Sequence, residues 1–221
     1  MRLTIVGATG GIGRHLLQQS VAAGHDVTAV VRDPSRLSAD VRVVRADLAT
    51  ATPQALAPAV SGADAVLSCL GPRSRADVGI AHRGTQTLLT AMQTAATRRI
   101  VAVSAAPVAT IASPGRPHPP RHDPGEGPFV RYLLGPTVKA VFRANYRDLA
   151  SLEDALRDSG LDWTVVRPPY LTNGPMTGAY RTALDRNVRG GLRVSRADVA
   201  HLMLAVLSRP ETVKAAVGVA R

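Results

Sequence analysis

The chain has 221 residues, of which 45% are hydrophobic and 3% aromatic, and its formal net charge is +11. This length suits a single α/β domain with a sizeable core. No apolar run reaches the roughly 18 residues of a membrane span, and strand-like residues rather than a signal peptide begin the chain. We therefore expect a cytoplasmic protein without a membrane span. The only cysteine, Cys69, excludes a disulfide framework and a cysteine-rich metal site.

The positive charge would suit nucleic acid, because basic surfaces attract phosphates. However, the arginines are scattered along the whole chain, and lysine occurs only at Lys139 and Lys214. Few aromatic residues are available to stack on bases. We therefore expect a small-molecule ligand, no nucleic acid and no bound metal. Monomer and homodimer both remain open.

The first functional pattern lies in residues 2–13, which read Arg-Leu-Thr-Ile-Val-Gly-Ala-Thr-Gly-Gly-Ile-Gly. A short apolar strand breaks at Gly7, and an amphipathic helix begins at once. Gly7, Gly10 and Gly13 would permit the turn, the approach of a pyrophosphate and close packing of helix on strand. Amides at the helix N-terminus attract phosphates. This strand, turn and helix predict a dinucleotide-binding turn.

Strands and helices then alternate along the chain, which predicts a Rossmann-type doubly wound parallel sheet of six to seven strands flanked by helices. We expect one domain over residues 1–221. Residues 113–128 are too rich in proline and glycine for regular structure, and an apolar helical segment follows at 129–143. Both follow the fifth strand, so we expect them near the substrate side, where residues 113–128 would form either a lid or a surface loop.

The carboxyl end of the second strand decides between the two nicotinamide cofactors. A carboxylate there binds the ribose hydroxyl of NAD, whereas arginine accommodates the extra phosphate of NADP. Arg32 and Arg36 follow this strand, which favours NADP(H), although Asp33 between them is an alternative ribose ligand.

Other strand ends add candidate residues, since ligands of open α/β sheets bind at the carboxyl edge. Ser104 ends the fifth strand, and Tyr170 follows two prolines after the sixth. We expect both side chains to orient the substrate, although a strand-capping serine and a packed tyrosine are equally consistent with the pattern. The predicted cofactor-binding set is Gly7, Ala8, Thr9, Gly10, Gly11, Ile12, Gly13, Arg32, Arg36, Asp47, Leu48, Leu70, Gly71, Pro72, Arg73, Ser104, Pro168, Pro169 and Tyr170.

The acid–base pair of most short-chain dehydrogenases, Tyr-x-x-x-Lys, is missing. In those enzymes the lysine lowers the tyrosine pKa from about 10 so that it can exchange a proton. None of the four tyrosines is followed by lysine four residues later.

The chain resembles the atypical short-chain dehydrogenases of the NAD(P)H-binding, NmrA-like group, and within it the biliverdin-IXβ reductase/flavin reductase branch. The resemblance covers nearly the whole chain outside residues 113–142. The matching segments are residues 6–13, 30–37, 158–161, 167–169 and 175–180, the last reading Pro-Met-Thr-Gly-Ala-Tyr.

This resemblance implies NADPH held by the glycine turn, Arg32 and Arg36, with hydride passing to a planar acceptor such as a flavin, an open-chain tetrapyrrole or a quinone. It also implies that no side chain is indispensable as proton donor. Two positions depart from the branch: its Thr-Ser pair is Ser104-Ala105 here, and its histidine is Tyr170. A non-catalytic NADP-binding sensor and, less favoured, a sugar-nucleotide epimerase or dehydratase are the alternatives.

Overall fold

The computed structural model describes residues 1–37, 39–71, 77–127 and 139–221. Its strands are β1 (Arg2–Val6), β2 (Asp26–Val31), β3 (Arg42–Arg45), β4 (Ala65–Ser68), β5 (Arg99–Val103), β6 (Asp162–Arg167), β7 (Tyr170–Thr172), β8 (Arg181–Leu184), β9 (Arg193–Ser195) and β10 (Ala215–Ala220). Its principal helices are α1 (Gly11–Ala22), α2 (Pro53–Val60), α3 (Ile80–Thr94), α4 (Arg143–Asp158) and α5 (Arg196–Ala205).

Eight strands form the main sheet in the order β3-β2-β1-β4-β5-β6-β10-β8. The first seven are parallel, and β8 joins the edge antiparallel to β10. The chain winds outward from β1 in one direction and from β4 in the other, so a crevice opens between these strands at their carboxyl ends. The doubly wound parallel sheet is therefore confirmed. The antiparallel edge strand and a separate β7–β9 pair were not predicted.

Helices cover both faces of the sheet. Successive residues of each strand point to opposite sides, so every buried strand contributes side chains to both faces. On one face Ile5 packs in a cluster with Leu16 of α1 and Leu202 of α5. On the other face its neighbour Val6 belongs to a cluster that includes Leu88 of α3. The buried strands thus carry apolar residues in continuous runs, which explains why they were recognisable in the sequence.

The proline-rich segment has the irregular backbone that its composition predicts. Its described part, residues 113–127, contains an isolated bridge between Ser113 and Arg116 but no helix. The buried carboxylate of Asp123 accepts from the amides of Gly125 at 2.7 Å and Asn187 at 2.9 Å. This segment is therefore anchored to the loop after β8.

Most of the predicted apolar segment, residues 129–138, lies outside the described residues. In the ranges that are described, no helix combines the length and the apolar character needed to cross a membrane.

A buried carboxylate fixes the loop before β8 onto α5. Asp198 Oδ1 accepts from the amides of Thr177 at 2.7 Å and Gly178 at 3.0 Å, and its Oδ2 accepts from Thr177 Oγ1 at 3.0 Å. Burial alone would raise the pKa of Asp198, but these hydrogen bonds outweigh it and hold the pKa below 3.8. The ionised carboxylate therefore stabilises the fold.

We predict that Asp198→Asn lowers the free energy of unfolding by about 2 kcal/mol at neutral pH, because an amide offers one acceptor oxygen to three donors. The stabilisation by the carboxylate is complete above the unfolded-state pKa, near 3.8, and is lost as the pH falls through the lower folded-state pKa. Urea unfolding at several pH values measures this difference. It should shrink in acid, and a difference independent of pH would contradict the assignment. Asp158→Asn, at an exposed carboxylate ending α4, is the matched control.

Candidate functional site

A cavity of about 320 Å³ opens at the carboxyl ends of β1, β2, β4 and β5. This is the crevice where the winding of the sheet reverses, the usual ligand site of such folds. It brings together eleven of the predicted residues, namely Gly7, Thr9, Gly10, Gly11, Ile12, Arg32, Asp47, Leu48, Leu70, Gly71 and Ser104. Ala8 and Gly13 belong to the same turn but are buried beneath it.

The glycine turn follows from two steric constraints. Gly7 has φ +78°, a left-handed conformation that favours glycine, and a Cβ there would lie 3.0 Å from the Cys69 carbonyl oxygen. A Cβ on Gly13 would lie only 2.1 Å from the Gly7 carbonyl oxygen. Since any side chain at Gly13 would strike the backbone, α1 approaches β1 this closely only with glycine at that position.

The N-terminus of α1 has the properties of an anion site. Its N-cap is Gly10, which provides no capping side chain, and its first turn contains no acidic residue. The first amides of a helix lack intrahelical acceptors and carry partial positive charge. The turn therefore fits the pyrophosphate of a dinucleotide, which would supply the missing acceptors.

The end of β2 separates the roles of Arg32 and Asp33. Arg32 is exposed and lines the cavity. Asp33 Oδ1 accepts from Ser35 Oγ at 2.7 Å and from the Ser35 amide at 3.1 Å, capping the short helix Pro34–Arg36. The hydrogen bond from the Ser35 side chain is the main cause that lowers the pKa of Asp33. This carboxylate already has a structural partner, whereas Arg36 is exposed outside the cavity lining.

The strand ends beside the turn contribute a mixture of backbone and apolar surface. Asp47 lines the cavity and its Oδ1 accepts from the Ala49 amide at 3.1 Å, so it also shapes its own turn. Burial raises the pKa of the Cys69 thiol to about 12, so this cavity residue stays protonated. Two predicted residues, Pro72 and Arg73, lie outside the described residues.

Ser104 lines the cavity, and its hydroxyl group forms a hydrogen bond to Glu153, which lies outside the cavity lining. Its Oγ donates to Glu153 Oε1 at 2.8 Å, and Arg167 Nε donates to the same oxygen at 2.9 Å. Arg157 Nη2 donates to Glu153 Oε2 at 2.7 Å. Burial would raise the pKa of Glu153, but hydrogen bonding and charge from Arg167 outweigh it and lower the pKa. Because the ionised carboxylate takes the Ser104 proton as a hydrogen bond, the serine can offer only acceptor capacity to a ligand.

The placement of Tyr170 departs from the prediction. Its side chain is 74% exposed, and neither Tyr170 nor the prolines Pro168 and Pro169 line the cavity. The reason is the unpredicted pairing of β7 with β9. Side chains alternate in direction along a strand, and it is Leu171, the residue after Tyr170, that lines the cavity. The structure thus brings Ser104 together with Leu171 rather than with Tyr170.

Several residues that line or support the cavity were missed, among them Glu153, Leu149 and Arg196. Glu153 interrupts the apolar stripe of α4 formed by Leu149, Leu152 and Leu156, and a charge on a buried stripe is a signal that could have found it. Leu149 from the same helix lines the cavity. Arg196, at the start of α5, also lines it, and no local pattern distinguishes it from other arginines.

Relatives of known sequence match most of the chain. A family model described as NAD(P)H-binding matches residues 7–210. The uncharacterized protein YwnB of Bacillus subtilis is 26% identical over 222 residues, which cover 96% of this chain and 94% of YwnB. The 3-diazoavenalumate denitrifying reductase of a Streptomyces species is 35% identical over 193 residues, which cover 82% of this chain and 59% of that protein.

Solved structures support the fold. A protein named as an NADH-flavin reductase from Streptococcus pneumoniae has a TM-score of 0.76 at 22% identity, over 100% of this chain and 99% of that one. The anaerobilin reductase ChuY of Escherichia coli O157:H7 has a TM-score of 0.74 at 21% identity, over 99% of this chain and 97% of that one. Because the family model spans residues 7–210, from the glycine turn to beyond α5, the chain belongs to the NAD(P)H-binding family and binds a nicotinamide cofactor.

Proposed function

We propose that this oxidoreductase uses NADPH to transfer hydride to a planar conjugated acceptor of the flavin, bilin or quinone kind. The observation that carries the proposal is the cavity itself, with an anion-binding turn beside Arg32 and an apolar wall broken by Ser104. The names of the Streptomyces, Streptococcus and Escherichia relatives, all reductases, support the same reaction class.

The preference for NADPH rests on charge at the end of β2. Arg32 lines the cavity. Asp33 carries the carboxylate that could instead bind the ribose hydroxyl of NADH, but this carboxylate caps its own turn. Arg36 and Arg45 lie close enough to lower the pKa of Asp33 further, so the neighbourhood is positive overall. A ribose phosphate would meet this charge, and guanidinium groups bind phosphate through paired donors.

The catalytic contribution of the protein is positioning. Bound nicotinamide supplies the hydride, and the fold holds the two reactants together while apolar side chains exclude water. Val103, Leu149 and Leu171 provide an apolar surface around Ser104. Since Ser104 donates to Glu153, it is an acceptor for ligand N–H groups, and the proton that completes reduction comes from solvent.

The direct test measures oxidation of NADPH and NADH with FMN, riboflavin, biliverdin and a quinone, beside a binding titration of each cofactor. We expect turnover with at least one planar acceptor, faster with NADPH. Tight NADPH binding without turnover of any acceptor would contradict the reductase and favour an NADP-binding sensor.

We predict that Arg32→Ala weakens NADPH binding by about 1 to 3 kcal/mol, roughly fivefold to a hundredfold, and leaves NADH binding nearly unchanged, because only NADPH carries the ribose phosphate. Arg36→Ala should have a smaller effect, since Arg36 lies outside the cavity lining. Arg42→Ala, at the opposite end of the neighbouring strand β3, is the control. Equal losses for both cofactors would refute the assignment of Arg32.

We also predict that Ser104→Ala lowers kcat by less than about tenfold, because a true proton donor would be worth about 100- to 10,000-fold. Steady-state kinetics with the best acceptor, on protein whose folding is checked by thermal unfolding, measures the change. A loss beyond a hundredfold, with the pH profile altered, would make Ser104 a proton donor after all.

A further inference from the structure

Arg196 lies beside the glycine turn although the two are separated by most of the chain. It is the first residue of α5, and its side chain lies over the first residue of α1. A Cβ placed on Gly11 would lie 2.8 Å from Arg196 Nε and 2.9 Å from its Cδ. Arg196 and Gly11 both line the cavity, so this guanidinium faces the same space as the helix N-terminus.

The guanidinium is held in place by groups that leave its charge unneutralised. Nη1 donates to Asn173 Oδ1 at 2.6 Å and to the Leu171 carbonyl oxygen at 3.4 Å. Across the described residues, no salt bridge between Arg196 and a carboxylate is found. Neutral oxygens therefore orient the cation without cancelling it.

Two positive groups thus share one small space. The N-terminus of α1 carries partial positive charge, and its first turn contains no acidic side chain. A guanidinium beside it is repelled unless an anion lies between them. An arginine held in this position therefore indicates a site for an anion that lies between the two groups. Backbone amides would bind the anion on one side, and the planar guanidinium would bind it on the other.

We propose that Arg196 binds the pyrophosphate of the dinucleotide opposite the amides of α1, and that Asn173 positions its guanidinium. The inference rests on the cofactor site of the proposed function but not on its acceptor. It gives the two arginines of the cavity separate tasks: Arg196 recognises the phosphates common to NADPH and NADH, and Arg32 recognises the phosphate found only in NADPH.

The test titrates NADPH, NADH, ADP and adenosine into the wild type, Arg196→Gln and Arg193→Gln. In Arg196→Gln we expect NADPH, NADH and ADP to bind more weakly by a common factor of roughly ten to a hundred, with adenosine unaffected. Arg193 is an exposed arginine three residues earlier on β9, so its variant should bind all four ligands like the wild type.

Unchanged affinity of Arg196→Gln for NADH and ADP would overturn the proposal, even if the wild type proves to be an active reductase. Conversely, the expected losses support it even if no acceptor is turned over. Should Arg196→Gln fail to fold in a thermal unfolding assay, Asn173→Ala replaces it. Without the Asn173 side chain, the affinities for NADPH, NADH and ADP should all fall several-fold and by the same factor. An Asn173→Ala protein that binds these ligands like the wild type would likewise overturn the assignment.

Discussion

The close approach of α1 to β1 is the constraint on which the site depends. Because a side chain on Gly13 would strike the Gly7 carbonyl oxygen at 2.1 Å, the helix can start this near the strand end only with glycine there. Its free amides then face the crevice between β1 and β4, and Arg32 and Arg196 approach from neighbouring segments. In the proposed function, backbone amides would therefore bind phosphate and the two arginines would add to that binding.

A second constraint acts on the other wall of the cavity. The carboxylate of Glu153 is buried, and a buried charge is tolerated only when it is paired and hydrogen-bonded. Arg167 and Arg157 provide the pairing, and Ser104 provides a further donor. The pairing keeps Glu153 ionised, and the ionised group fixes the direction of the serine hydroxyl. The polarity of one cavity atom is therefore determined by charged side chains that lie outside the cavity lining.

Local rules explain what the sequence could predict. Glycine spacing identifies the turn, and apolar runs identify the buried strands, because both patterns act within a few residues. Arg196 and Glu153 were not predicted, and Tyr170 was predicted at a place that it does not occupy, because their positions depend on partners far away in the chain. Tyr170 in particular follows the double proline as expected, but pairing of β7 with β9 turns its neighbour Leu171 into the cavity instead.

The two arrangements lie on different sides of the cavity. Amides and arginines lie around the glycine turn, whereas Val103, Leu149 and Leu171 make the wall around Ser104 largely apolar. An apolar wall with one acceptor atom discriminates ligands by shape and flatness more than by charge. We expect substitutions on that wall to leave the glycine turn undisturbed, since α4 and β7 are distinct from β1 and α1. In the proposed function, separate elements of the fold would therefore hold the hydride donor and the acceptor.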